Sequence, residues 1–395
     1  MFNIYLMDSF SPKKRFFYKL GHCRELAITE YSFLSGDQNY LVNKDWLLGS
    51  EFIHVNLTGS LVFGGTILGL VDLTKDFSKV LTLLQENLIL LKESKPDTKK
   101  LGLYLPKIYQ LEGLRLAKQI GFRKINLAQQ LPNFGSWKSV KQWFLVIPLD
   151  RYWLVGKINT YANQEFWSVL DQDLPHRDLK SGIINLKLAR SLLNLTKKSV
   201  IWDPFCGQGR LIVAGLDLKR KFLASDMAIN CVLETQSNYL QAKPIWSKYW
   251  KHFQLSGNFL PASLVTEVLD ARTLSKSRNF YASSNLAIVT EGYLGTNFTQ
   301  PPSLANIRTE LQKLFDLWSQ VITQANQLRI SELVFCLPVY LRSKDVKQKL
   351  WPQFHHLLIK KTNYNLYYLN NHKPGILYSR PKSLVGHWIV KLVQT

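Results

Sequence analysis

The chain is short of acids, of cysteine and of long apolar runs. Of its 395 residues only 28 are Asp or Glu, against 50 Lys or Arg, which leaves a formal charge of +22. Hydrophobic residues make up 46% and charged residues 20%, a globular composition that excludes disorder. So large a basic surplus on a folded body calls for a polyanionic partner, either nucleic acid or an anionic membrane surface. The four cysteines (Cys23, Cys206, Cys231, Cys336) are scattered without C-x-x-C spacing, which excludes a thiolate zinc site and fits reduced thiols in the cytoplasm. His355 and His356 are adjacent, so on a helix their side chains point about 100° apart and make a poor ligand pair; no metal is expected. No stretch approaches the roughly 18 apolar residues of a membrane span. The best candidate, SLVFGGTILGLVD (60–72), is cut by Gly64, Gly65 and Gly69 and reads as a strand, a glycine turn and a second strand. The start, MFNIYLMDSFSPKKRFFYKL, lacks the pattern of a secretory leader, so a cytoplasmic protein is expected.

At roughly 100–200 residues per domain the length predicts two or three domains. The basic surplus is spread along the chain, +8 over 1–160 and +14 over 161–395. Over 1–160, short strands (FNIYLMD, KKLGLYLP, QWFLVIPLD, YWLVGKI) interleave with amphipathic helices (GHCRELAITEYSFLSG, DFSKVLTLLQENLILLKES, LEGLRLAKQIGFRKI). This predicts two small α+β units in place of one large sheet. Residues 161–178 read as a polar and aromatic linker. From 179 to 395 the pattern alternates strictly, and SVIWD, KFLASD, LVTEVLDA, LAIVTEG and ELVFCLPV read as five buried strands with room for a crossover helix between each pair. That is an α/β, Rossmann-like, doubly wound parallel sheet. The last stretch, LYYLNNHKPGILYSRPKSLVGHWIVKLV, adds two strands as a terminal antiparallel hairpin.

The most informative segment is VIWDPFCGQGR, where an apolar strand runs into Asp203, Pro204, Phe205, Cys206, Gly207, Gln208 and Gly209 before a helix. The two glycines remove side chains where backbone approaches a ligand. A pyrophosphate turn has three glycines in G-x-G-x-x-G, whereas here there are two preceded by an acid. A leading carboxylate suits a ligand with a cationic part, and S-adenosylmethionine carries an ammonium and a sulfonium. Asp226 ends the next strand, 23 residues on, where an acid can accept ribose hydroxyls. Asp270, followed by Ala271, ends the third strand, where an acid can accept an adenine amino group. The plainer alternative is that each acid caps the helix after it. Cys206 reads as a small packing residue of the turn. The aromatics Trp246, Tyr249, Trp250 and Phe253, among Lys248, Lys251 and His252, read as either a base-stacking surface or a local hydrophobic plug.

With these residues in view, PHRDLKSGIINLKLARSLLNL (175–195) followed by DPFCGQG resembles the RNA methyltransferases that act on exocyclic amines. Within them the chain is most similar to the THUMP-containing guanosine-N2 group, such as the tRNA guanosine-10 methyltransferases. The resemblance covers 170–295; over 1–160 it is limited to size, element order and GLYLPKIY. It implies a THUMP-like, RNA-binding N-terminal region and an S-adenosylmethionine-dependent catalytic domain, with RNA, tRNA above all or rRNA, as partner and in some relatives an activating subunit. It also implies that Asp203, Pro204, Cys206, Gly207 and Gly209 line the methionine end of the cofactor, Asp226 the ribose, and Asp270 and Ala271 the adenine. His176, Arg177 and Asp178 would flank the mouth, and Gly182, Lys187 and Leu188 would begin the wall behind it.

The departure lies after the fourth strand. Where the family shows T-D-P-P-Y-G, or a variant with Asn, this chain has Thr290-Glu291-Gly292-Tyr293-Leu294-Gly295. An exocyclic amine delocalises its lone pair into the ring and attacks a methyl sulfonium poorly. Two oxygen acceptors on its N–H groups keep electron density on nitrogen, while an aromatic holds the extruded base. Glu291 and the Gly292 carbonyl can supply the acceptors, and Tyr293 the ring. The reading is N-methylation of guanine N2 in tRNA. Two others remain open: a DNA amino-methyltransferase using the same turn, and an RNA-binding protein with a vestigial site.

Overall fold

The computed structural model describes residues 15–38, 40–74, 77–131, 135, 139–140, 142–177, 184–250, 258–280, 283–341, 362–369, 374–381 and 383–394. The expected strand FNIYLMD lies outside them. The chain divides into two compact units, with the change of unit at Gln164/Glu165; residues Glu25–Phe33 also belong to the second unit.

In the first unit eight strands form one mixed sheet: β1 (Phe16–Leu20), β2 (Leu41–Asn43), β3 (Trp46–Gly49), β4 (Leu61–Asp72), β5 (Lys100–Tyr104), β6 (Lys124–Ala128), β7 (Trp143–Leu149) and β8 (Tyr152–Tyr161). Their order is β2-β3-β1-β4-β8-β7-β5-β6, so the expected pair of small α+β units is replaced by a single sheet. The reason lies in SLVFGGTILGLVD. It makes one unbroken 12-residue strand, β4, in place of two arms and a turn. That strand joins β1 on one side to β8 on the other. Its glycines serve proximity, not turning. A Cβ on Gly64 would lie 2.5 Å from the Tyr18 ring, and one on Gly65 would lie 2.1 Å from the Lys157 carbonyl oxygen.

Strand β7 alternates with period two and is buried on both faces. Phe144 and Val146 pack with α2 (Ser78–Ser94), which buries Val80, Leu84, Leu88 and Leu91 at helical spacing; Trp143, Leu145 and Ile147 pack with Phe17, Trp46 and Phe63 opposite. Helix α1 (Arg24–Ser35), most of which belongs to the second unit, falls where its apolar spacing predicts. Helix α3 (Gln110–Gln119) ends earlier than the expected helix LEGLRLAKQIGFRKI, whose last residues Lys124 and Ile125 open β6. The Asp150-Arg151 turn joins β7 to β8 with Asp150 at φ 55°.

The second unit holds α4 (Gln164–Gln172), α5 (Leu186–Asn194), β9 (Val200–Asp203), α6 (Arg210–Ala214), β10 (Lys221–Asp226), α7 (Ile229–Trp250), β11 (Ser263–Val268), β12 (Leu286–Val289), α8 (Leu304–Gln327), β13 (Glu332–Tyr340), β14 (Tyr364–Tyr367), β15 (Ile376–Tyr378) and β16 (Val385–Gln394). The expected linker, 161–178, thus carries α4. Strand order is β11-β10-β9-β12-β13-β16-β14, with β15 paired to β16. The first five strands are parallel and β16 runs antiparallel between β13 and β14. This is the Rossmann-like sheet with antiparallel terminal strands, carrying one strand more at its end than the hairpin expected. The β11–β12 crossover holds only a 3-10 helix, Ala271–Lys276, among the described residues.

Order reverses between β9 and β12, and ligands of open α/β sheets bind outside the carboxyl ends of strands at that switch point. Trp202, Ile288, Trp318 and Phe335, each fully buried, fill the core beneath it. Beside it the buried Arg190 of α5 donates through both Nη atoms to Asp217, with Nη2 3.0 Å from Oδ2. No helix among the described residues is long and apolar enough to cross a membrane.

Gly65→Ala should destabilise the first unit by roughly 1–3 kcal/mol, since the new methyl meets backbone that cannot rotate away. A chemical-denaturation midpoint equal to wild type would contradict the one-strand account of β4.

Candidate active site

Strand β9 delivers Asp203 to the switch point, and the chain turns there on Gly207 (φ 49°) and Gly209 (φ 72°) before entering α6. Those angles favour glycine. The turn is held from within and from α7. Phe205 N–H donates to Asp203 Oδ1 (3.2 Å), Cys206 N–H to the Ser225 carbonyl (3.0 Å), and Thr235 Oγ1 to the Gly207 carbonyl (2.8 Å). A Cβ on Gly209 would lie 2.8 Å from Thr235, whereas one on Gly207 would meet nothing within 4 Å. The backbone at Gly207 therefore fronts open space.

Asp203 is 3% exposed, and its carboxyl is pushed up to about 7, mainly by burial and further by the negative fields of Asp226 and Glu291. Thr290 and the Phe205 N–H act in the opposite direction through hydrogen bonds. Asp226 ends β10 and accepts Gly207 N–H at Oδ2 (3.1 Å) and Ala228 N–H at Oδ1 (3.0 Å), which fixes its carboxylate beside the turn. Asp270 reaches the same edge, but both its oxygens are engaged by Arg272: Oδ1 caps the 3-10 helix through Arg272 N–H (2.9 Å) and the guanidinium pairs with both. That pairing holds the Asp270 carboxyl below its usual range. Of the three strand-end acids, Asp270 behaves most like a plain cap, and Ala271 behind it is buried.

Cys206 is buried and burial pushes its thiol well up, so it packs in the turn and is no nucleophile. His176 and Arg177 are brought alongside. Asn238 donates to the His176 and Gln208 carbonyls (2.9 and 2.8 Å) and accepts His176 N–H (3.1 Å), tying the segment to the turn. Arg177 pairs with Asp171 at 3.2 Å. Leu188 is buried and Lys187 half-buried on α5, while Asp178 and Gly182 lie outside the described residues. The aromatic group on α7 is a plug at Trp246, which is 1% exposed against Phe166, Trp167 and Phe259 and donates to the Val213 carbonyl. Phe253, Lys251 and His252 lie outside the described residues.

After β12, Thr290 is buried and Gly292 N–H donates to its hydroxyl (3.0 Å). Gly292 has φ 73°, which proline cannot adopt, and a Cβ there would sit 2.3 Å from the Trp318 ring. The bulk of this buried tryptophan on α8 explains why glycine stands where the resembled family has proline. Tyr293 is 46% exposed, free to meet a ligand from solvent. Glu291 Oε1 lies 2.7 Å from His387 Nε2, donated by β16. Sequence reading missed His387, although a lone histidine in the apolar run VGHWIV was a visible signal. It also missed Arg210, which follows the glycines. Arg210 is 6% exposed, pairs with Asp171, donates Nε–H to the Ile184 carbonyl (2.8 Å) and feels the Glu291 charge, while its Nη1 has no hydrogen-bond partner. Among the described residues no cluster of three or more His, Cys, Asp or Glu could hold a metal ion.

No protein-family model matches the chain, and no curated protein matches it. Among solved structures it is similar to TrmN from Thermus thermophilus, at 13% identity over 96% of this chain and 100% of that one, with a TM-score of 0.47. It is also similar to a protein from Listeria monocytogenes described as a predicted N6-adenine-specific DNA methylase (10% identity, 95% of each chain, TM-score 0.41). A third is the magnesium protoporphyrin IX methyltransferase of Synechocystis (13% identity, 58% of this chain and 90% of that one, TM-score 0.32). Likeness at this level says nothing of substrate.

Two outcomes follow from the geometry. Gly292→Ala should cost roughly 1–3 kcal/mol of stability, through the left-handed φ and the Trp318 contact; an unchanged unfolding midpoint would contradict this. Asp203 ionises near 3.9 when unfolded and near 7 when folded. The folded chain thus keeps a proton that the unfolded chain has lost, and ligand-free stability falls as pH rises between those values. Relative to wild type, Asp203→Asn should gain stability progressively from pH 4 to pH 8. A difference that does not change with pH would contradict the assignment.

Proposed function

We propose that the chain is an S-adenosylmethionine-dependent RNA methyltransferase that methylates an exocyclic amine, guanine N2 in tRNA being the substrate the sequence resemblance favours. The observation that carries this is the grouping of Asp203, Asp226 and Glu291 at the carboxyl ends of the neighbouring strands β9, β10 and β12, beside an open glycine turn, in a protein otherwise strongly basic.

The residues present fit that cofactor. Asp203 is a buried acid in the field of two others, and no cation lies within ion-pair distance among the described residues, so a ligand carrying a sulfonium and an ammonium complements it. The open cradle at Gly207 leaves room for a ligand against the backbone, and Asp226 is held rigidly enough to accept two hydroxyls. S-adenosylmethionine, when bound, supplies an electrophilic methyl group. Glu291 and the Gly292 carbonyl accept the two N–H groups of the incoming amine, and Tyr293 stacks on the flipped base. That methyl would be the group transferred to the amine that Glu291 and the Gly292 carbonyl hold. The surplus N–H proton passes to Glu291 and then to water.

For the RNA partner, support comes from the first unit. Lys95, Lys99, Lys100, Lys118, Arg123 and Lys124 are all exposed near the amino ends of β5 and β6, and the acids over the same stretch of sequence are Glu93, Asp97 and Glu112. Lys100 and Lys124 sit side by side in parallel register. Lys157, on β8, loses proton affinity through burial and the charge of Lys95, so these cations repel one another in the absence of a counter-charge. A phosphate backbone relieves such repulsion.

The test is to incubate the protein with methyl-labelled S-adenosylmethionine and total tRNA, rRNA or duplex DNA, then identify the modified nucleoside by mass spectrometry. Label on guanine N2 of tRNA is expected. Glu291→Ala should lower the rate of transfer by roughly 10²–10⁴-fold, leaving a residual rate that can still be measured. Methyladenine in DNA would replace the RNA reading with the DNA one; cofactor and RNA binding without any transfer would favour a vestigial site, unless a partner subunit restores activity. RNA affinity should fall steeply with salt, and replacing Lys99, Lys100 and Lys124 by Ala should flatten the log–log slope by about 1 per lysine. An unchanged slope would remove this patch from the interface.

A further inference from the structure

We propose that His387 is a positioning residue of this site: its imidazole holds one oxygen of Glu291 so that the other faces the reacting amine. The inference rests on the methyl-transfer reading above.

Two features of the Thr290-Glu291-Gly292-Tyr293 segment pose the problem. Glutamate has one more rotatable bond than the aspartate or asparagine of the resembled motif, and glycine at 292 leaves the following backbone less rigid than proline would. A free carboxylate on that stem would sample several rotamers, whereas transfer needs the acceptor in place before the base arrives. His387 removes that freedom. Its Nε2 lies 2.7 Å from Glu291 Oε1, with the two side chains only 19% and 20% exposed, so the contact is shielded from competing water.

The anchor is itself rigid. His387 stands in β16, which is hydrogen-bonded to β13 on one side and to β14 and β15 on the other. It lies in register with Pro338 of β13 and Tyr378 of β15, and the Tyr378 ring meets the imidazole edge-on at 6.0 Å. A carboxylate can only accept, so Nε2 must carry the proton and the tautomer is set by the pair. With Oε1 occupied, Oε2 and the Gly292 carbonyl remain for the two N–H groups of the amine. An acid too long for its task is thus shortened by being tied back to the sheet.

The experiment combines kinetics with a readout that needs no turnover. With labelled S-adenosylmethionine and whichever of total tRNA, rRNA or duplex DNA the wild type methylates, His387→Ala should lower kcat about a hundredfold, the scale of a misplacement of about 1 Å. The dissociation constant for S-adenosylmethionine should stay within about twofold. His387→Gln, whose amide N–H can still donate, should retain more activity than Ala, and added imidazole should partly restore the Ala variant. In a Glu291→Ala background the His387→Ala change should cost nothing further. In the ligand-free protein, NMR should show a slowly exchanging imidazole N–H signal that vanishes in both His387→Gln and Glu291→Ala. Full activity in His387→Ala, independent losses in the double variant, or absence of that signal would overturn the inference while the methyltransferase reading stands. A wild type that methylates none of the three nucleic acids would bring down that reading and the inference with it.

Discussion

The Asp203 carboxyl sits 3% exposed at the end of the central strand β9, in the field of Asp226 and Glu291, with no cation within ion-pair distance among the described residues. A buried acid in such company holds its proton to about 7 and is costly to ionise. Most of the second unit's local architecture serves to keep it there. Trp202 immediately before it is fully buried, Thr235 of α7 closes over the turn after it, and Asp226 is pinned to the same turn by Gly207 N–H. The strand order places Glu291, from β12, across the switch point from it. An arrangement that costs stability in the empty protein is sensible where a cationic ligand offsets it.

The surface has the opposite sign. The chain carries +22 overall, and in the first unit six exposed cations gather near the amino ends of two parallel strands. Under the proposed function, a basic exterior and a cluster of strand-end acids would keep apart two electrostatic tasks, one for a polyanion and one for a small cation.

Much of the second unit was legible because its elements are local. Five apolar runs ending in Asp, Gly or a turn gave β9 to β13, and DPFCGQG sits where its glycines and leading acid implied. What escaped was set by residues distant in sequence. Gly64 and Gly65 read as a turn, but the rings of β1, more than 40 residues earlier, need their space, so the strand continues and two expected units fuse into one sheet. Glycine at 292 departs from the resembled motif because Trp318, in a helix further along the chain, fills the volume of any Cβ there. The partner of Glu291, His387, stands 96 residues later. Asp270 had the spacing of a ligand acid, yet Arg272 two residues on takes its oxygens.

Burial keeps the Asp203 carboxyl protonated up to about 7 in the ligand-free protein. Calorimetry of S-adenosylmethionine binding at pH 6, repeated in buffers of different ionisation enthalpy, counts the protons exchanged. A cation beside Asp203 lowers its proton affinity, so binding should release close to one proton, and Asp203→Asn should release none. Proton-neutral binding by the wild type, or equal release by wild type and Asp203→Asn, would contradict the account.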